Sequence, residues 1–242
     1  MHSDESKPVY LEPQTPGEFD AQAKRAVYDV IAWRRDVRHF QADKDVSAAV
    51  LERILDAAHR APSVGLSQPW GFVVIRDRAV RRRIHESFVR CRALEAARYT
   101  EARRADYLTH RLEGILDAPL NICVAVDLRP RATPILGTTI QPETVRASAC
   151  CAVQNLWLAA RAEGIGVGWV SIVEPGVVSR ELQLPVGVEP VAYLCVGVPI
   201  AFRDAPMLEE TGWGVRQTLR SVVHADGCWR DQDAKMPNCT SE

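Results

Sequence analysis

The run Glu143 to Glu163 constrains the fold of this chain more than any other stretch. It contains neither proline nor glycine, and its centre is the series Ala147, Ser148, Ala149, Cys150, Cys151, Ala152, followed by Leu156, Trp157 and Leu158. A helix with so many small side chains lets neighbouring backbones approach closely, which suits the centre of a domain or a dimer interface. Gly164 and Gly166 follow it, as a helix C-terminus favours.

Other elements take their places around that helix. Apolar spacing predicts helices over Phe19 to Arg35, with Asp20 as N-cap, and over Val46 to His59, capped by Asp45 or Ser47. Short β-branched runs predict strands over Phe72 to Ile75, Asn121 to Asp127, Val167 to Ile172 and Val191 to Val198. A short helix to Leu184 follows the turn Glu174-Pro175-Gly176. Ala79 to about His110 is helical in pattern but heavily charged, so it is expected at an edge or over a cleft, with 88–112 as a candidate lid. The layout is α+β, with helices over one sheet. Residues 1–18 read as a flexible arm, 19–224 as a single domain and 225–242 as a disordered tail.

Composition narrows the class of partner. Thirty basic residues against thirty-one acidic ones weaken any case for nucleic acid or a membrane surface. Seven cysteines, an odd number without C-x-x-C spacing, suggest neither a disulfide framework nor a zinc site. Cys91, Cys123, Cys150, Cys151 and Cys195 lie in apolar or helical surroundings, and a reducing cytoplasm fits best. The first residues are polar and proline-bearing, unlike a signal peptide or a membrane span.

The candidate chemistry begins at Arg34-Arg35-Asp36-Val37-Arg38-His39-Phe40, a cluster at a helix exit. In extended chain, Arg34, Asp36 and Arg38 share one side. Guanidinium forks converging on one carboxylate make an anion-recognising surface with an acid embedded in it, although a solvated charge run is the simpler alternative. The loop Ala61-Pro62-Ser63-Val64-Gly65-Leu66-Ser67-Gln68-Pro69-Trp70 is long for a helix-to-strand connection, and its hydroxyls and free backbone groups can approach a ligand.

Several common chemistries are missing. There is no G-x-G-x-x-G after a first strand and no G-x-x-x-x-G-K-[ST]; Gly164, Gly166 and Gly168 alternate, but they leave a helix and enter a strand. H-E-x-x-H is absent and the histidines sit apart, so no metal site is expected. Ser171 lacks a nucleophile-elbow context and stands at a strand end, where a serine is also a turn former.

The Arg34–Phe40 cluster, the Ala61–Trp70 loop and Gly166-Val-Gly-Trp-Val-Ser-Ile172 together resemble the nitroreductase-like flavoprotein superfamily, over about Ala26 to Val223. Asp36, Leu66 and Ser171 place the resemblance in its 5,6-dimethylbenzimidazole synthase (BluB) branch, with departures at Ala147 and Gly214. The resemblance implies a central mixed β-sheet flanked by helices in a domain-exchanged homodimer, each flavin site being built from both chains. Arg34, Arg35, Asp36, Val37, Arg38, Ser63, Ser171 and Arg216 would bind FMN, with Arg203 a weaker candidate. Reduced FMN would be the substrate and O2 the co-substrate, giving dimethylbenzimidazole and erythrose 4-phosphate, with NAD(P)H acting only through a separate flavin reductase. Asp36, kept ionised by the arginines, would be the general base and Ser171 would pass protons. The alternatives are an NAD(P)H-dependent nitroreductase or quinone reductase that retains FMN, and a non-enzymatic flavin-binding protein.

Overall fold

The structure, a computed structural model, describes residues 17–224. The expected arm, except Gly17 and Glu18, and the tail 225–242 lie outside the described residues. The described chain forms two compact units, 17–204 and 205–224.

In the first unit the elements run α1 (Ala21–Trp33), α2 (Ala48–His59), β1 (Trp70–Ile75), α3 (Arg78–Ala96), α4 (Glu101–Thr109), β2 (Leu120–Asp127), α5 (Thr144–Ala162), β3 (Gly166–Trp169), α6 (Pro175–Glu181) and β4 (Val188–Gly197). The second unit holds two short helices, α7 (Met207–Glu210) and α8 (Leu219–Val222). The strands order as β1-β2-β4-β3 and every pair of them is antiparallel. Mixed character enters at one place, a parallel bridge between Asp36 and Val167.

Two apolar layers clamp the sheet. Leu120, Ile122, Val124 and Val126 point from β2 toward α2 and α5, where they meet Ile54, Ala149, Val153 and Leu156. The alternate residue Cys123, with Tyr193 and Cys195 of β4, faces Ile84 and Phe88 of α3 and Val178 of α6. β2 is buried on both faces, which is why its sequence is a continuous apolar run and not an alternating one.

Sequence reading placed one helix from Ala79 to about His110; the chain breaks it at 97–100, where Thr100 takes an extended backbone (ψ 159) and starts α4. α3 is also less peripheral than its charge implied. Val80, Ile84 and Phe88 recur at four-residue spacing, a stripe narrow enough to sit among arginines yet sufficient to close one face of the sheet. Arg81 is buried beneath it and donates to the Ile115 and Ala118 carbonyls. No helix among the described residues is long and apolar enough to cross a membrane.

Two helical faces in this unit are left uncovered by the described residues. α1 buries no residue, and its Val27, Tyr28 and Ile31 are exposed, Tyr28 at 70%. On α5, Cys150 and Cys151 are exposed beside Ala147, so the surroundings expected to bury these two cysteines cover only the opposite side of the helix.

Candidate active site

The cluster read first in the sequence is seated on the open edge of β3. After α1 the chain turns extended at Arg34 (φ −64, ψ 133) and runs beside β3, which has β4 on one side only. The Val37 N–H donates to the Val167 carbonyl at 2.9 Å, which makes the parallel bridge. Continued pairing would bring the Trp169 N–H to the carbonyl of Val37 and the Trp169 carbonyl to the next N–H beyond. Side chains take both groups instead.

The Trp169 N–H donates to Asp36 Oδ1 at 3.0 Å, and the Trp169 carbonyl accepts from Arg38 Nη1 at 2.9 Å. An ion pair from Arg38 Nη2 to Asp36 Oδ2 closes the ring. One residue's backbone thus holds both members of the pair, and each carboxylate oxygen has a donor. Arg34 lies with its guanidinium 4.7 Å from the Trp157 ring centroid, and the Trp157 indole N–H donates to the Arg35 carbonyl at 3.2 Å. The Trp157 and Trp169 rings are 6.3 Å apart.

Burial pushes the Asp36 carboxyl above the ordinary carboxylate range; Arg38, the Trp169 N–H and Arg34 pull it down without reversing that. The arginines pull the carboxyl toward the ionised form, as the sequence reading expects, and burial opposes them. Its side chain still keeps 40% of its surface, so one side of the carboxylate is open while burial on the other sets the direction of the shift.

The remaining predicted residues divide into those that join this group and those that do not. Val37 is buried at 5% beneath it. Ser171 is exposed two residues beyond Trp169. Arg35 points elsewhere, its guanidinium donating to the carbonyls of Ala32, Arg34 and Asp204. Ser63 belongs to the loop before β1, where its hydroxyl accepts from the Gln68 N–H at 3.0 Å. Leu66 (φ 53) and Gln68 (φ 44) hold that loop in left-handed backbone, at a cost of roughly 1–3 kcal/mol each. Arg216 lies in the second unit, where its N–H donates to Glu209 Oε1 at 2.9 Å.

Loop and cluster lie at opposite ends of α5. The Val64 N–H donates to Ser148, whereas Trp157 holds Arg35. At 1.5 Å per residue those anchors are about 14 Å apart. The sheet gives the same span, since β1 and β3 are its two edges, three spacings or about 14 Å from one another. The candidate lid is knit together: Arg92 of α3 donates to the carbonyls of Leu108 and His110, and the Tyr107 hydroxyl donates to Glu95 at 3.0 Å. Sequence reading missed the roles of the Trp157 indole and the Trp169 backbone. A main-chain contact leaves no residue-type signal, and only the unexplained Gly166 and Gly168 before Trp169 pointed to it.

The cluster suits a flat, polar, partly anionic ligand. It offers a carboxylate with one open face, two guanidinium groups and two indoles within a few residues of one strand edge. Among the described residues no cluster of three or more metal-ligating side chains occurs.

A family model described as Nitroreductase family matches residues 31–198. The 5,6-dimethylbenzimidazole synthase of Rhodospirillum rubrum is 42% identical over 199 residues, spanning 82% of this chain and 94% of that one. The enzyme of the same name from Rhodobacter capsulatus is 38% identical, over 81% of this chain and 94% of its own. Among solved structures, an iodotyrosine deiodinase bound to FMN and 3-iodo-L-tyrosine superposes with a TM-score of 0.66 at 20% identity, covering 83% of this chain and 98% of that one.

Proposed function

Since the chain belongs to the nitroreductase family, we propose that it is a 5,6-dimethylbenzimidazole synthase, an enzyme that fragments reduced FMN with molecular oxygen to dimethylbenzimidazole and erythrose 4-phosphate. Identity to the two synthases over 94% of their length supports the activity. Within the family, the observation that carries it is the Asp36 carboxylate, fixed at the strand edge with one face open. A reductase that only stores electrons on a flavin gains nothing from a carboxylate there, since negative charge opposes the anionic reduced ring.

When bound, reduced FMN supplies the carbon atoms of the product and the electrons that reduce oxygen. The chain's own residues bind it, orient it and move protons. Arg34 and Arg38 offer guanidinium donors to its polar edge and phosphate. Asp36 accepts a proton at Oδ1 or Oδ2, and its raised pKa makes the ionised form a stronger base than a free aspartate. Ser171 both donates and accepts, so it relays a proton near the ring. Val37 lines the floor, and 88–112 closes over the site to exclude water. Arg35 supports the segment through its carbonyl partners, and a direct contact to flavin would come from its remaining N–H groups.

A homodimer completes the site. Within one chain the 61–70 loop and the Arg34–Phe40 cluster are held by α5 residues about 14 Å apart, while a second copy packed on the exposed faces of α1 and α5 brings its own loop to the first copy's cluster. NAD(P)H acts through a separate flavin reductase, in the cytoplasm, where the buried free thiols Cys123 and Cys195 remain reduced. Incubating the purified protein with chemically reduced FMN in air and analysing the products by mass spectrometry tests the proposal. Dimethylbenzimidazole is expected; steady NADH oxidation with nitrofurazone and no benzimidazole would mark a plain nitroreductase instead.

A further inference from the structure

We propose that Gly168 is a positioning residue for the Asp36 carboxylate: the bare backbone at 168 is what lets the Arg34–Phe40 segment lie close enough for Trp169 to grip Asp36 and Arg38. A Cβ at 168 would stand 2.1 Å from the Val37 carbonyl oxygen and 3.2 Å from its carbonyl carbon. Both are main-chain atoms between the two gripped side chains, so no rotamer change relieves the conflict. Val37 cannot retreat, because its side chain is 5% exposed and its N–H is bonded to Val167. The segment has to lift off β3, and lifting it opens the ring formed by Trp169, Asp36 and Arg38.

Gly166 faces the same neighbour two residues earlier, as strand alternation requires. A Cβ there would lie 2.9 Å from both Val37 Cγ atoms. That conflict is with a side chain, and truncating it to alanine removes both closest contacts and leaves only Val37 Cβ, at 3.0 Å. The alternating glycines before Trp169 thus form a trough for Val37, the middle residue of the Asp36–Arg38 pair. This accounts for a pattern that matches no phosphate loop.

The catalytic meaning of the placement rests on the functional reading above, whereas the placement itself does not, so the test reads them separately. In the full-length protein without flavin, the Trp169 amide should lie downfield in ¹H–¹⁵N spectra and titrate with Asp36, a dependence that Asp36→Asn abolishes. Gly168→Ala should stay folded, lose that titration, and form dimethylbenzimidazole from reduced FMN roughly 100-fold more slowly, the size of effect expected for a small misplacement of a reacting group. Gly166→Ala should weaken the titration, and Val37→Ala should restore it in the double variant; Val37→Ala should not restore it in Gly168→Ala.

A folded Gly168→Ala that keeps both the titrating amide and the wild-type rate overturns the proposal. Should Gly168→Ala fail to fold, failure of Val37→Ala to restore the amide titration in Gly166→Ala overturns it equally. Wild-type protein that makes no benzimidazole while the amide behaves as described refutes the functional reading and leaves the positioning intact.

Discussion

The proposed function turns on Asp36, whose two oxygens are held by one strand residue's N–H and one arginine. Burial sets the upward direction of its pKa against the pull of Arg38, the Trp169 N–H and Arg34, while its side chain keeps 40% of its surface. The pH dependence follows in sign. The base is active when ionised, so turnover is present above the Asp36 pKa and falls as pH drops through it. Because burial raises that pKa, the acid limb of turnover should lie at higher pH than an exposed aspartate would give, and a pH–rate profile checks this. Asp36→Asn should remove the limb along with the activity. The cluster itself was legible in sequence, because period-two alternation alone places Arg34, Asp36 and Arg38 together. The sign of the pKa shift was not, since desolvation depends on packing from β3 and α5 that no local pattern encodes.

Among the elements, α5 does the organising. It covers one face of the sheet with Ala149, Val153 and Leu156, holds the 61–70 loop at Ser148 and holds Arg35 at Trp157. Its small residues announced a central helix, and their run was its clearest sequence signature. Leu156 is fully buried, so Leu156→Ala should cost about 2–5 kcal/mol of stability, read as a lowered urea midpoint with an unchanged slope. α3 was harder to read. Three apolar residues at four-residue spacing are easily overlooked among arginines, and the buried Arg81 contradicts its residue type until the Ile115 and Ala118 carbonyls are seen beneath it. The break before α4 depends on the backbone of Thr100, which carries no strong stop signal.

At the scale of the molecule, the proposed homodimer makes one chain half of each site. α1 is a regular helix with a side-chain cap at Asp20, yet none of its residues is fully buried among the described residues. Such a helix is stable mainly through packing, so an apolar face of Val27, Tyr28 and Ile31 calls for a partner, and in the proposed homodimer a second copy supplies one. Wild-type protein should elute with about twice the 26.9 kDa chain mass. Ile31→Glu should shift it toward the monomer and weaken FMN binding in parallel, read by light scattering and flavin fluorescence; a monomer that binds FMN normally would show that one chain suffices. Elements could be read from the sequence with boundaries off by a few residues, because spacing sets them locally. The separation of Ser63 from Asp36 could not, because it depends on the order of strands across the sheet.

The most direct test mixes chemically reduced FMN and oxygen with wild-type and Asp36→Asn protein under single-turnover conditions and quantifies dimethylbenzimidazole by mass spectrometry. The wild type should yield product, while Asp36→Asn should bind FMN comparably, melt no lower and lose on the order of 100-fold or more in rate. Equal product from the two proteins would contradict the assignment of Asp36 as the base, and no product from the wild type would contradict the proposed reaction itself.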